Sequence, residues 1–161
     1  MQWAEQLKEV GNIQSLLNFS TSAPNFCYRK LFQNCLSLIK APSFLATSAG
    51  GYSYGSTLGK TSVSKFPKIA ATTLGENCCY YMFEECPLTT IPNLTQTTLG
   101  SYCYSEMFHN CKSLIKTGEM LATTLNRFSF RHMFYGCNNL LYRPKNSSNN
   151  KSNAIMLWGN V

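Results

Sequence analysis

The sequence predicts a single solenoid of about five to six stacked coils, each 25–26 residues long. Three observations predict it: a cysteine that returns at a nearly fixed interval, an aliphatic residue two or three positions after it, and a hydroxyl-rich segment that closes each unit. Self-similarity with a period of about 20 to 50 residues is typical of repeat architectures, in which each unit buries its apolar side against the next. The residues at the cysteine position are Cys35, Thr61, Cys86, Cys111 and Cys137.

Each coil is predicted to contain one short helical turn and one short strand. In the clearest copy, residues 103–125, the Met107–Phe108 pair follows a small residue by four to five positions, a spacing that suits a helical turn with one buried face. The Leu114–Lys116 segment is β-prone and is closed by Gly118, which indicates a brief strand. Because parallel strands lie about 4.8 Å apart, we expect a parallel ribbon on one face and helical turns on the other. The prolines expected to end the strands of other coils are Pro42, Pro67, Pro92 and Pro144.

The chain is predicted to divide into one long solenoid and a short polar tail. Residues 1–145 form the solenoid, with residues 1–26 as an N-terminal partial coil or cap. Residues 53–61 lack the Met-Phe pair and the cysteine, so a local bulge or insertion is expected there. Residues 146–153 are rich in Asn, Ser and Lys and predict a linker. The apolar residues 154–161 predict a C-terminal cap or the start of a further coil. The repeat positions expected in the core are Cys35, Cys86, Cys111, Cys137, Leu38, Val63, Leu88, Leu114 and Leu140.

The eight cysteines allow three interpretations. Within a coil they lie eight residues apart, as Cys103 and Cys111 do, which is not the spacing of a zinc knuckle. The preferred interpretation is a ladder of small buried residues, because free cysteine is among the most buried residue types and Ser53 and Ser129 replace it. Disulfides between coils, for instance Cys78 with Cys103, and a metal site are the alternatives.

The repeat motif resembles that of a known family. The clearest copy reads Cys103-Tyr-Ser-Glu-Met-Phe-His-Asn-Cys111-Lys-Ser-Leu114 and continues to Ala122-Thr-Thr-Leu125. This pattern resembles the BspA-like, Treponema pallidum-type leucine-rich repeats, especially the Met-Phe-x-x-Cys variety of surface proteins from gut and oral bacteria. The resemblance covers about residues 10–144. It implies a right-handed leucine-rich-repeat solenoid of the α/β type that acts in attachment or recognition, often of host proteins, at the cell surface or after secretion.

The sequence carries no signal for membrane insertion or for export by a cleaved leader. Its apolar residues never run to the roughly 18 that a membrane span needs. Residues 1–10 hold Trp3, Glu5 and Glu9 where a signal peptide has basic residues and an apolar core. We therefore expect either a protein that is not exported by that route or a piece of a longer exported chain.

Charge indicates the class of partner. The chain has a formal net charge of +7, and its only acidic residues are seven glutamates. Two positions after the strand leucine, the coils present a broken basic ladder, which predicts a surface for an acidic protein, a sulfated glycan or a phosphate-bearing polymer. The alternative is ordinary solubility and protection of the sheet edge. The ladder is Lys40, Lys65, Thr90, Lys116 and Tyr142, and Lys60 and Lys68 are expected to widen it.

Enzyme chemistry and nucleic-acid binding find little support. Without aspartate, neither a Ser-His-Asp triad nor an aspartate dyad can form. His109 and His132 stand at different positions of the repeat, so we do not expect them to converge. No phosphate-binding glycine loop and no nucleic-acid motif accompanies the basic charge. We therefore expect no catalysis, no cofactor, no metal and no nucleic-acid partner.

Aromatic and hydroxyl residues also follow the repeat. Tyr28, Tyr54 and Tyr104 are in phase and are predicted to pack between coils with their hydroxyls at the rim. Tyr80, Tyr81 and Tyr142 are not held by the repeat and are predicted to be exposed, and exposed tyrosine is a usual binding anchor. The threonine pairs are predicted to be turn hydroxyls that bond neighbouring backbone, in preference to an ice-binding face. These pairs are residues 72–73, 97–98 and 123–124.

The sequence as a whole predicts a non-catalytic binding module that attaches to or recognises a host or neighbouring-cell surface protein or acidic glycan. The alternative is a structural spacer or assembly module of a larger surface or virion-associated protein, which associates with itself end to end. A recognition module needs an exposed patch along its length, whereas a spacer needs only adhesive ends.

Overall fold

The computed structural model describes residues 7–9 and 21–141. Every strand in this part of the chain is two residues long, and none of the described residues lies in a helix. The predicted linker 146–153, the predicted cap 154–161 and Tyr142 lie outside the described residues. The strands are β1 (Ser22–Ala23), β2 (Ser48–Ala49), β3 (Thr73–Leu74), β4 (Thr90–Ile91), β5 (Thr98–Leu99), β6 (Lys116–Thr117) and β7 (Thr124–Leu125).

The larger sheet joins one strand from each repeating unit. Strands β1-β2-β3-β5-β7 are parallel and adjacent in that order, and each residue pairs with the one 25 or 26 positions further on, as Ser48 does with Thr73. The structure therefore confirms short parallel strands in phase with the sequence period. We call the segments that begin at these strands repeats 1 to 5, and they span residues 22–47, 48–72, 73–97, 98–123 and 124–141.

The second threonine of each pair begins a strand of this sheet, whereas the sequence predicts turns for the pairs. β-Branched residues favour strands because their side chains pack well on a pleated surface. The hydroxyls of Thr47 and Thr123 donate to the carbonyl oxygens of Thr21 and Thr97, at 2.8 and 3.4 Å. These hydroxyls thus bond neighbouring backbone as predicted, but they do so between repeats, at the residues directly before the strands.

The smaller sheet lies where the sequence predicts the parallel ribbon, but it has only two strands among the described residues. β4 and β6 are parallel, and Thr90 pairs with Lys116. The strand predicted at Leu114–Lys116 begins only at Lys116, so it is displaced by two residues. At the same position of repeat 1, Lys40 forms a single bridge with Glu9.

The prediction of helical turns is wrong. The corresponding segments are chains of tight turns, in which the first, fifth and ninth residues have positive φ, for example 54° at Tyr102, 52° at Glu106 and 56° at Asn110. A right-handed helix does not allow such values. We call these segments the turn ribbon, and they comprise residues 26–34, 52–60, 77–85, 102–110 and 128–136.

Hydrogen bonds between repeats replace the helical ladder in the turn ribbon. The Met107 N–H donates to the Tyr104 carbonyl within a turn, at 3.2 Å, and the Phe108 N–H donates to the Met133 carbonyl of the next repeat, at 3.0 Å. This alternation continues along the segment, so stacking satisfies half of the backbone donors. The turn ribbon therefore depends on its neighbours for its conformation.

The core is a set of columns that run through successive repeats. Phe83, Phe108 and Phe134 stack with ring centroids 5.5 and 5.4 Å apart and interplanar angles of 10° and 6°. Phe66 packs against the first of these rings at 5.0 Å. The repeat positions predicted for the core are at most 9% exposed, and they are Cys35, Cys86, Cys111, Cys137, Leu38, Val63, Leu88, Leu114 and Leu140.

Residues 53–61 keep the register of the other repeats, so the prediction of a bulge or insertion is wrong. The Leu58 N–H donates to the Met82 carbonyl at 3.1 Å, as at the equivalent positions elsewhere. Thr57 and Leu58 occupy the Met-Phe positions and are fully buried. The buried Thr57 hydroxyl is satisfied because it donates to the Tyr28 carbonyl at 2.6 Å.

The cysteines form buried ladders of free thiols. Seven of the eight are buried and Cys27 is partly buried. At the second cysteine position the thiol of Cys111 donates to the Phe83 carbonyl of the preceding repeat at 3.0 Å. At the first position the Ser129 hydroxyl donates to the Asn126 carbonyl at 2.6 Å. Cysteine, serine and threonine can replace one another here because they share small size and a hydrogen to donate.

The in-phase tyrosines are more deeply buried than predicted. The hydroxyls of Tyr54 and Tyr104 lie inside the protein and not at its rim, because both residues are at most 1% exposed. Tyr104 donates to the Gln96 side-chain oxygen at 2.7 Å. The Tyr54 hydroxyl has no hydrogen-bond partner among the described residues, since Ala46 stands where Gln96 stands in the later repeat.

We expect Tyr54→Phe and Tyr104→Phe to change stability in opposite directions. Removing the unsatisfied Tyr54 hydroxyl should stabilise the protein by about 1 kcal/mol, because a buried polar group without a partner costs about 1–3 kcal/mol. Removing the Tyr104 hydroxyl should destabilise it by about 1–2 kcal/mol, because the Gln96 oxygen loses its donor. Urea denaturation of both variants measures the difference, and equal destabilisation by the two would contradict the prediction.

Candidate functional site

Two of the predicted lysines line one groove. Lys65 of repeat 2 and Lys116 of repeat 4 both line it, and Thr90 of repeat 3 lies between them. The groove has a volume of about 790 Å³. We call it the lysine groove, and its lining is Ser64, Lys65, Phe66, Thr89, Thr90, Ile91, Pro92, Asn93, Lys116 and Gly118.

The lysine groove forms where the backbone of repeat 2 does not pair with that of repeat 3. β4 pairs with β6, but residues 64–66 make no backbone hydrogen bond to residues 89–92 within the described structure. The chain of repeat 2 is therefore free to stand away from β4. Phe66 fixes this segment, since its ring packs on Phe83 at 5.0 Å and on Phe108 at 6.3 Å. The lysine groove thus includes a partly buried aromatic side chain that packs against the core.

The electrostatics of the lysine groove favour anions. Its lining contains two lysines and no carboxylate. Neither Lys65 nor Lys116 forms an ion pair with any residue that the structure describes. Both side chains are exposed, and hydroxyl and amide donors at Thr89, Thr90 and Asn93 lie beside them. The arrangement can therefore hold a carboxylate, sulfate or phosphate group by charge and by hydrogen bonds.

The other predicted ladder residues do not join the lysine groove. Lys40 lies 3.2 Å from Glu9 in an exposed ion pair, so its charge is partly neutralised. Lys60 lies on the turn ribbon, 3.8 and 3.6 Å from Glu84 and Glu85, and the prediction that it widens the basic surface is wrong. Lys68 is exposed but does not line the groove, and Tyr142 lies outside the described residues.

Exposed aliphatic side chains flank the lysine position, and sequence reasoning missed them. Ile39, Ile115 and Leu141 are 56%, 43% and 75% exposed. They stand at the repeat position of Ser64 and Thr89, which line the groove. Several exposed apolar residues in one row are typical of a contact surface. The signal was present in the sequence as apolar residues that immediately precede the lysine column.

The histidines converge more than the sequence predicts. The His109 ring stacks on Tyr135 at 5.3 Å, and the His132 ring lies 6.1 Å from the same tyrosine. The Nδ1 atom of His109 is 4.0 Å from Glu84 Oε1, which is longer than a hydrogen bond. The turn ribbon brings both rings to one face because adjacent repeats stack in register.

Three of the buried thiols are held in the protonated form, which is a poor nucleophile. Burial raises the pKa of the Cys79, Cys86 and Cys103 thiols. Only the thiolate is a good nucleophile or metal ligand, so these groups remain protonated and inert near neutral pH. Across residues 7–9 and 21–141, no three His, Cys, Asp or Glu side chains are placed to hold a metal ion. The same residues include no helix with the length and apolar character to span a bilayer.

Comparison with protein-family models, with curated proteins and with solved structures gives no match.

Proposed function

We propose that this protein is a non-catalytic binding module that holds an acidic protein or acidic glycan of a host or neighbouring-cell surface. The observation that carries the proposal is the lysine groove, which Lys65 and Lys116 both line and whose lining contains no carboxylate. The hydroxyls of Thr89 and Thr90 add donors, and the exposed Ile115 beside them adds apolar contact area. Charge of one sign in a concave site raises the local concentration of oppositely charged partners.

We further propose that the stacked repeats form a leucine-rich-repeat solenoid. The parallel register at 25–26 residues supports this interpretation. So do the buried leucine-position residues, of which Leu38, Val63 and Leu114 are fully buried. The turn ribbon replaces the helical side that the family resemblance implies. Such a stack presents a long surface on which a partner can contact several repeats at once.

The test is binding to immobilised heparin and to polyglutamate, at low and at physiological salt. We expect Lys65→Gln combined with Lys116→Gln to weaken binding by about fivefold to tenfold, since exposed charge pairs are worth about 0.2–1 kcal/mol each. Binding of the unchanged protein should weaken with salt because exposed charges are screened. The double variant should show a smaller salt dependence.

The matched control is Lys68→Gln combined with Lys112→Gln. It removes the same charge from exposed lysines that do not line the lysine groove. If both double variants lose the same affinity, net charge and not the groove accounts for binding. If neither polyanion binds and the protein associates with itself, the spacer or assembly function replaces this proposal.

A further inference from the structure

The turn ribbon contains two depressions that are separate from the lysine groove. The first has a volume of about 210 Å³ and lies at Gly55, and the second has a volume of about 530 Å³ and lies at Ser105. Arg29, Tyr52 and Tyr80 line both of them. The two depressions are therefore neighbouring parts of one surface.

A single column of the repeat explains why the depressions exist. Arg29, Gly55, Tyr80, Ser105 and Arg131 stand at the same position of repeats 1 to 5. Large and small side chains alternate, so each small residue leaves a space between two large ones. With repeats about 4.8 Å apart, the two spaces lie about 10 Å from each other along the column.

The aromatic side chains that line the depressions are held in place by neighbouring rings. Tyr52 stacks on Phe26 with a centroid distance of 5.2 Å, and Tyr80 packs edge to face with Tyr81 at 4.4 Å. The Arg29 guanidinium lies 5.3 Å from the centre of the Tyr52 ring. A ligand would thus meet preformed platforms, which lowers the entropy cost of binding.

Donors and acceptors are balanced around the larger depression. Arg29 and Arg131 line it and form no ion pair with a described residue. Glu76 and Glu106 also line it. Glu106 accepts a hydrogen bond from the Tyr81 hydroxyl, so one carboxylate is fixed in position. The larger depression differs from the lysine groove, because its two carboxylates would repel a polyanion.

We propose that the two depressions are subsites for alternate sugar units of one neutral oligosaccharide. Sugar hydroxyls both donate and accept hydrogen bonds, which matches guanidinium groups and carboxylates in one site. The apolar face of a pyranose ring fits the half-exposed rings of Tyr52 and Tyr80. The separation of the subsites matches the length of a disaccharide unit. This site goes beyond the proposed function and does not depend on the lysine groove.

Calorimetric titration of the whole protein with neutral hexasaccharides of glucose, mannose, galactose and N-acetylglucosamine tests the proposal. We expect at least one of them to bind with little salt dependence. Tyr80→Ala should weaken that binding about tenfold, because loss of a stacked aromatic contact and its buried area amounts to about 1.4 kcal/mol. Arg131→Gln should also weaken binding, because Arg131 lines the larger depression. The fold should remain intact, because this side chain is exposed.

The matched control is Tyr135→Ala, which removes an exposed tyrosine of the turn ribbon that lines neither depression. It should leave the affinity unchanged, and so should the double glutamine variant at Lys65 and Lys116. The proposal is overturned if none of the four hexasaccharides binds. It is also overturned if Tyr80→Ala and Arg131→Gln have no more effect than Tyr135→Ala.

Discussion

Phe108→Ala is expected to destabilise the protein by about 4 kcal/mol, because removing a fully buried phenylalanine costs about 3–5 kcal/mol. Phe108 is fully buried and stacks on Phe83 and Phe134 at 5.5 and 5.4 Å. It stands in the middle of this column, so alanine removes two ring contacts at once. Each such contact is worth about 0.5–1.5 kcal/mol beyond the area buried.

Urea denaturation followed by circular dichroism measures this loss. Leu36→Ala is the control, since Leu36 is 64% exposed and a surface substitution usually changes stability by less than about 0.5 kcal/mol. Domains are stable by only about 5–15 kcal/mol, so Phe108→Ala should bring the protein close to unfolding. A loss no larger than that of Leu36→Ala would show that the phenylalanine column does not support the stack.

The sequence predicts the period, the phase and the core because these depend on side-chain size alone. Positions such as Leu38 and Leu114 recur at 25–26 residues and are buried. Stacking in register follows from that recurrence, since each repeat covers the apolar side of its neighbour. The hydroxyl-rich strands follow less directly, because threonine favours both strands and turns.

The turn ribbon was beyond prediction because its residues carry no signal for it. Left-handed φ values favour glycine and asparagine. Yet 14 of the described residues other than glycine have positive φ, and only Asn34, Asn77 and Asn110 among these are asparagine. The apolar spacing within each segment is close to that of a helix. Hydrogen bonds to the next repeat decide the outcome, and these are absent from any single repeat considered alone.

The candidate site is predictable in part. The repeat places Lys65 and Lys116 in one column, and so sequence reasoning identifies both. It does not identify the interrupted pairing at residues 64–66 that opens the lysine groove. It also assigns Lys60 to the same surface, because a spacing argument cannot show that Glu84 and Glu85 compete for this lysine.

Gly100→Ala is expected to destabilise the protein by about 2–3 kcal/mol, which is the usual cost of forcing extra atoms into a packed interior. A Cβ atom at Gly100 would lie 2.5 Å from the carbonyl carbon of Gly75 and 2.6 Å from the Glu76 nitrogen. These are backbone atoms of the preceding repeat, so no side-chain rotation can relieve the contact. Relief requires the repeats to separate, and separation lengthens the parallel hydrogen bonds between β3 and β5.

The matched control for this substitution is Gly59→Ala. A Cβ atom there would lie 3.5 Å from its nearest neighbour, the Tyr81 carbonyl oxygen, which is an ordinary contact. That variant should be neutral or stabilised by about 0.4–1 kcal/mol, because alanine restricts the unfolded chain. Thermal unfolding of the two variants therefore compares the steric cost of a Cβ atom at Gly100 with the entropic gain from alanine at Gly59. If Gly100→Ala were no less stable than Gly59→Ala, the close backbone contact between repeats 3 and 4 would be refuted.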